Sequence, residues 1–214
     1  MNKNDIKLGK NASLRTFFAL PFKIMVKPLA NYEKVEDKKF QVSLFFMLFW
    51  GLITSITSAL LAIYLGVDYG NPSNCGGSAQ IFADWVVFKV WNIENPHIGI
   101  ITFILANEFG YFFLGVLSTL VIALLAKVPK KDNFKELINP SMAAISYGMT
   151  PALLIGWLPN PIFLVGILAL IYQSLAIWKI LKLSKKGAVF VALSWILILA
   201  IMHDITEFIL NLII

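Results

Sequence analysis

Five predominantly apolar runs, most of them about 20 residues long, recur along this chain, the length at which a helix crosses a ~30 Å hydrocarbon layer, with the shorter fifth able to continue as one helix to the C-terminus. They cover residues 40–66, 108–126, 139–158, 162–180 and 187–202. Lipid offers no partner to a free backbone N–H or C=O, so such runs are confined to helices whose bonds close internally. The expected fold is therefore all-α: a polytopic membrane bundle of five transmembrane helices. Composition agrees, because 58% of the 214 residues are hydrophobic and 14% charged, against roughly 25% charged in soluble domains. Too little sequence lies outside the runs for a second folded unit.

Direction follows from the basic residues, which short cytoplasmic loops retain and translocated loops lack. Lys3, Lys7, Lys10, Arg15, Lys23, Lys27, Lys34, Lys38 and Lys39 precede the first run. Lys127, Lys130, Lys131 and Lys135 lie between the second and third, and Lys179, Lys182, Lys185 and Lys186 between the fourth and fifth. Of the 18 basic residues, Lys89 alone falls elsewhere. This alternation puts the N-terminus in the cytoplasm and the C-terminus outside. Merging the third and fourth runs into a re-entrant hairpin is the alternative topology.

The net charge of +6 thus describes a basic cytoplasmic face. It implies attraction to anionic membrane lipids, with a protein partner at that face as a second reading and no nucleic acid. The N-terminus lacks an uninterrupted apolar core followed by a small-residue cleavage site, so it does not read as a removable signal peptide. Cys75, the single cysteine, excludes an internal disulfide. Neither a metal site nor a cofactor site is expected. Two regions result: a basic cytoplasmic and interfacial segment, 1–39, and a transmembrane domain, 40–214, with an outer loop at 67–97.

Segment 1–39 mixes Leu14, Phe17, Phe18, Leu20, Phe22, Ile24 and Met25 with cations, a composition suited to the membrane interface. Pro21 and Pro28 are expected to divide it into short helical pieces. The outer loop starts with the turn formers "VDYGNPSNCGGSAQ" and carries Trp85 and Trp91, whose indoles favour the headgroup boundary.

Inside the third run, "SYGMTPALLIGWLPNP" (146–161) holds three prolines. Pro151 cannot donate a backbone bond and is expected to kink or break the helix. Ser146, Gly148 and Thr150 suit that break: small residues admit a neighbouring helix, and hydroxyls can bond the freed carbonyls. Pro159 and Pro161 are expected to reverse the chain.

In order and character these features resemble the Yip (Ypt-interacting protein) family of five-span membrane proteins. The resemblance rests on "FKIMVKPLANYEKVEDKKF" before the first span and on "SYGMTP" in the third, with Tyr147 and Pro151 four apart. It also rests on "KILKLSKKGAVFVALS", where Leu183 and Ser184 lead into Gly187, Ala188 and the fifth span. It covers about residues 25–201. The resemblance implies a cytoplasmic N-terminus, five spans and a non-enzymatic role in membrane organisation, trafficking or partner recruitment. Eukaryotic relatives are associated with Rab-type small GTPases; this chain departs from them in its short N-terminal region without a long acidic tail.

Ionisable groups within membrane spans are costly and are therefore functional candidates. Glu108 is one, either at the outer end of a span beginning near Phe109 or well inside a span beginning near Ile98. His203, Asp204 and Glu207 are the others; a helix brings His203 and Glu207, four apart, to one face. Together with Glu108 they could carry protons, ions or a small solute through a transporter or channel. Alternatively, they form the wet outer end of the fifth span. Tyr172, Gln173 and Ser174 read as interhelical hydrogen-bonding groups. No phosphate-binding loop, metalloprotease motif or nucleophile with a nearby base is present, so no catalytic residue is assigned. Gly110, Gly115, Gly148 and Gly156 can serve packing within one bundle or between copies in a homo-oligomer. The short loops favour the cell membrane.

Overall fold

The computed structural model describes residues 14–35, 39–68, 93–130, 132–158 and 162–213, with Ala83, Asp84, Val86, Val87 and Trp91 between them. Residues 14, 15, 162–164, 166, 199, 200 and 202–213 are described by backbone alone. Helices account for the regular structure: α1 (Leu14–Val26), α2 (Pro28–Tyr32), α3 (Phe40–Leu65), α4 (Pro96–Lys130), α5 (Phe134–Gly148), α6 (Thr150–Ile155), α7 (Ile162–Ile180) and α8 (Lys185–Ile213). Among the described residues there is no strand. Both α3 and α4 are long and apolar enough to cross a membrane; at 1.5 Å per residue they extend about 39 and 52 Å.

Burial along these two helices runs opposite to the pattern of a protein built for water. On α3 the buried positions include Ser43, Gly51, Thr54, Ser55, Ser58 and Ala62, while Phe45, Leu52, Ile56 and Leu60 are exposed. On α4 the buried positions include Gly99, Asn107, Gly110, Gly115, Ser118 and Thr119, and Ile101, Leu105, Phe109 and Leu124 face outward. Small residues let the antiparallel backbones approach closely. A Cβ on Gly115 would run into the Met47 side chain, one on Gly51 would lie 3.0 Å from the Tyr111 ring, and one on Gly99 would meet Ile63.

α4 starts twelve residues before Glu108, whereas the sequence pattern opens the second apolar run at Glu108 itself. The reason is a local cap. Asn95 Oδ1 accepts the free N–H groups of His97 at 3.0 Å and Ile98 at 3.3 Å, and Pro96 fills a first-turn position where no N–H is needed. At its far end α3 stops at Gly66, which adopts φ 65°. The Val67 N–H then closes back on Leu61 O at 3.2 Å, a left-handed helix stop.

Prolines act less uniformly than composition suggests. Pro21 lies inside a continuous α1 rather than dividing it; the separation expected of the two prolines occurs at Lys27, next to Pro28. The residue before a proline is biased away from helical geometry, and Lys27 has φ −139° and ψ 70°. The N-terminal pair packs onto the bundle. Phe17 lies 5.2 Å from Phe49 and 5.8 Å from Phe46, ring centre to ring centre, and Phe22 lies 6.0 Å from Trp50. Helix α1 also touches α6, and α2 touches α7.

One end of the bundle gathers five helix termini. The first N–H of α3, at Phe40, takes Asn139 Oδ1 of α5 as acceptor at 3.2 Å. Gly187, near the start of α8, abuts Pro129 at the end of α4. Lys179, near the end of α7, pairs with Glu33 at 2.7 Å. The described lysines of 34–39, 127–135 and 179–186 therefore belong to the same end.

Helices α5 and α7 approach closely at Gly148, where an added Cβ would stand 3.1 Å from the Gln173 Cα. Gly148→Val should destabilise the fold by about 1–3 kcal/mol through overpacking. Unfolding of the variant in detergent micelles measures the loss, and an unchanged midpoint would show that the helices do not meet there.

Candidate functional site

The break between α5 and α6 shows how a buried backbone survives a proline. In an uninterrupted helix the N–H of residue 151 would bond Tyr147 O, and Pro151 has no N–H to give. Thr150 Oγ1 donates to that carbonyl at 2.6 Å, and the Tyr32 hydroxyl of α2 approaches it at 3.4 Å. On either side the chain keeps helical bonds: Met149 N to Ile145 O at 2.9 Å and Leu153 N to Met149 O at 3.0 Å. The interruption sits at Met149, with ψ 3°, two residues before the proline. It is a short break that leaves α6 to continue along the bundle.

Other side chains serve the same segment. Thr54 Oγ1 on α3 donates to Leu153 O at 2.5 Å, with its own-helix acceptor Trp50 O at 3.1 Å. Gln173 Nε2 on α7 donates to Ala144 O at 3.1 Å. Tyr147, Gly148, Thr150 and Pro151 are all buried, and Phe46 packs 4.5 Å from the Tyr147 ring. Ser146 is buried too, yet its hydroxyl has no partner among the described residues; Thr150 is the hydroxyl that completes the break.

Tyr32 is fully buried although α2 belongs to the basic N-terminal segment. Burial, with Tyr172 nearby, pushes its pKa well above the ordinary phenol range, so the hydroxyl remains a donor. Its neighbour Asn31 closes the end of α1 by donating to Lys23 O at 2.9 Å and Lys27 O at 2.8 Å. Tyr172 donates to Met25 O at 2.6 Å. Of the polar trio on α7, Tyr172 and Gln173 thus reach other helices, while Ser174 bonds Leu170 O of its own helix at 2.8 Å.

Glu108 stands about 18 Å along α4 from its start. Its Oε1 lies 2.7 Å from Ser55 Oγ on α3, and Ser55 Oγ is also 2.8 Å from Gly51 O. The hydroxyl has one hydrogen for two acceptors. Beside it, Asn107 is completely buried with both amide atoms unpartnered, and so is the Ser58 hydroxyl. A polar edge therefore runs along the middle of the α3–α4 contact. The backbone of α8 continues as helix through His203, Asp204 and Glu207; their side chains lie outside the described residues. Among the described residues no three His, Cys, Asp or Glu side chains gather where they could hold a metal ion.

No protein-family model, curated protein or solved structure matches the chain.

The carbonyl at Tyr147 gives a direct test. Thr150→Val should cost about 1–3 kcal/mol by leaving a buried acceptor short of its donor. Pro151→Ala restores the missing N–H, so the same Thr150→Val change should cost less than half as much in that background. Equal costs in the two backgrounds, read from unfolding of the four proteins, would separate Thr150 from the proline.

Proposed function

We propose that this chain is a non-enzymatic, five-span protein of the cell membrane, of the Yip type, that organises membrane or recruits partners through a basic cytoplasmic face. The observation that carries this reading is the inverted burial of α3 and α4, with small and polar residues inside and Phe45, Ile56, Leu105 and Phe109 outside. Such a surface is stable against acyl chains and aggregates in water. Helices α3, α4, α5 with α6, α7 and α8 supply the five crossings. Gathering of the lysine segments at one end supports a cytoplasmic N-terminus and an external C-terminus by the positive-inside rule.

A transport role is the second reading, favoured by Glu108 about a third of the way along α4 beside Ser55 and Asn107, the latter without a hydrogen-bond partner among the described residues. In a bilayer this would be an acidic group at depth, a costly placement that usually marks an ion or proton path.

Topology is tested with the native Cys75. A membrane-impermeant maleimide should label it in intact cells, whereas a cysteine replacing Lys131 or Lys182 should react after permeabilisation alone; the reverse pattern would invert the proposed orientation. Function is tested in liposomes. The membrane-organising reading expects vesicle remodelling that depends on anionic lipid, with proton and ion flux at the protein-free background. Flux well above background that falls at least tenfold in Glu108→Gln would establish the transport reading instead.

A further inference from the structure

Between α1, α3 and α6 lies an open apolar groove of about 400 Å³, lined by Phe22, Met25, Trp50, Ile53, Leu154 and Trp157 among others. Its walls are held by bonds that do not depend on an occupant. The Tyr172 hydroxyl fixes Met25 O, the Asn31 amide fixes the end of α1, and the Trp157 indole donates to Leu154 O at 2.8 Å. A preformed groove loses little freedom when filled.

The surroundings specify what fills it. Phe22 and Ile53 are exposed on the groove's outer rim, on the side that faces lipid if the chain spans the membrane. The α1 wall is basic: Lys23 and Lys27 are exposed, and α1 contains no acidic residue. Glu33, the nearest described acid along the chain, is taken by Lys179. Neither Lys23 nor Lys27 forms an ion pair among the described residues. Lys23 follows Phe22 and Lys27 lies two residues past Met25, and an apolar slot with two such unpaired cations on the helix that forms its wall matches a molecule with a long hydrocarbon chain and an anionic head.

We propose that this groove binds an acyl chain of one anionic phospholipid, with Lys23 and Lys27 taking its phosphate-bearing headgroup. The inference rests on the membrane-spanning reading and goes beyond it, because an annular lipid would have no fixed seat and no headgroup preference.

Native mass spectrometry of the full chain, released from micelles containing dioleoyl phosphatidylglycerol or dioleoyl phosphatidylcholine, tests it. One phosphatidylglycerol per chain should be retained, with an about thirtyfold preference, roughly fivefold for each lysine. Replacing Lys23 and Lys27 by Gln should abolish the preference. Leu154→Trp, and Ile53→Trp on the opposite wall, should each displace the lipid. In the unaltered protein, dibrominated phosphatidylglycerol should quench tryptophan fluorescence more strongly than dibrominated phosphatidylcholine. Equal retention and equal quenching by the two lipids would overturn the proposal, as would lipid that survives both groove-filling variants or a dimer in place of a lipid adduct. Those failures would leave the Cys75 labelling pattern intact, whereas failure of the membrane reading would change that pattern itself.

Discussion

A single missing hydrogen, the N–H that Pro151 lacks, organises much of the interior. Buried in the bundle, the freed carbonyl at Tyr147 has no water to turn to, and leaving such a group unpaired costs a few kcal/mol. Thr150 meets it from three residues further along the chain, and Tyr32 reaches it from 115 positions away. The second contact draws a charged N-terminal segment into the bundle. Once Tyr32 is buried, Asn31, Met25 and Glu33 follow, each tied to α1 or α7. The segment before the first apolar run is thus a strut against the bundle as well as an interfacial element.

The same physics governs how the longer helices meet. Acyl chains are as apolar as leucine, so little is gained by hiding large hydrophobic side chains from them. Close contact then falls to glycine, serine and threonine, whose small size lets α3 and α4 approach to the point where Gly51 touches Tyr111 and Glu108. Many of the large side chains on these helices are left for the outside, while Phe46, Met47, Trp50, Phe103 and Tyr111 fill the inside around the small residues. This division explains why Ser55 and Glu108 can meet partway along two long apolar helices, and why that meeting point stands out as a place where chemistry or ion passage could occur.

Much of this was legible in the sequence, and the misses have identifiable causes. Helical structure in the apolar runs followed from their length, and a break near Pro151 served by a hydroxyl followed from proline's missing N–H, although Ser146 and Thr150 were equal candidates and of the two Thr150 alone makes the bond among the described residues. The start of α4 was left open between Phe109 and Ile98 because the apolar window opened at a charged residue; the earlier start holds, and Asn95-Pro96 is the capping pair that fixes it. Pro21 was overestimated as a divider: α1 continues through it, with Leu20 and Ile24 buried and Phe17 edge-on to Phe46 and Phe49. Tyr32 meeting Tyr147 could not be read at all, since periodicity carries no information about which distant residue fills a vacancy. The groove beside α1 is likewise a product of three elements meeting.

The N-terminal pair as a fixed part of the bundle is tested most directly by hydrogen exchange of the full chain in lipid nanodiscs. Amides of residues 31–35 should exchange slowly, in step with α5, and should lose that protection when Tyr32 is replaced by Phe. Exchange of this segment at the rate of a free peptide, while α3 and α5 remain protected, would contradict it.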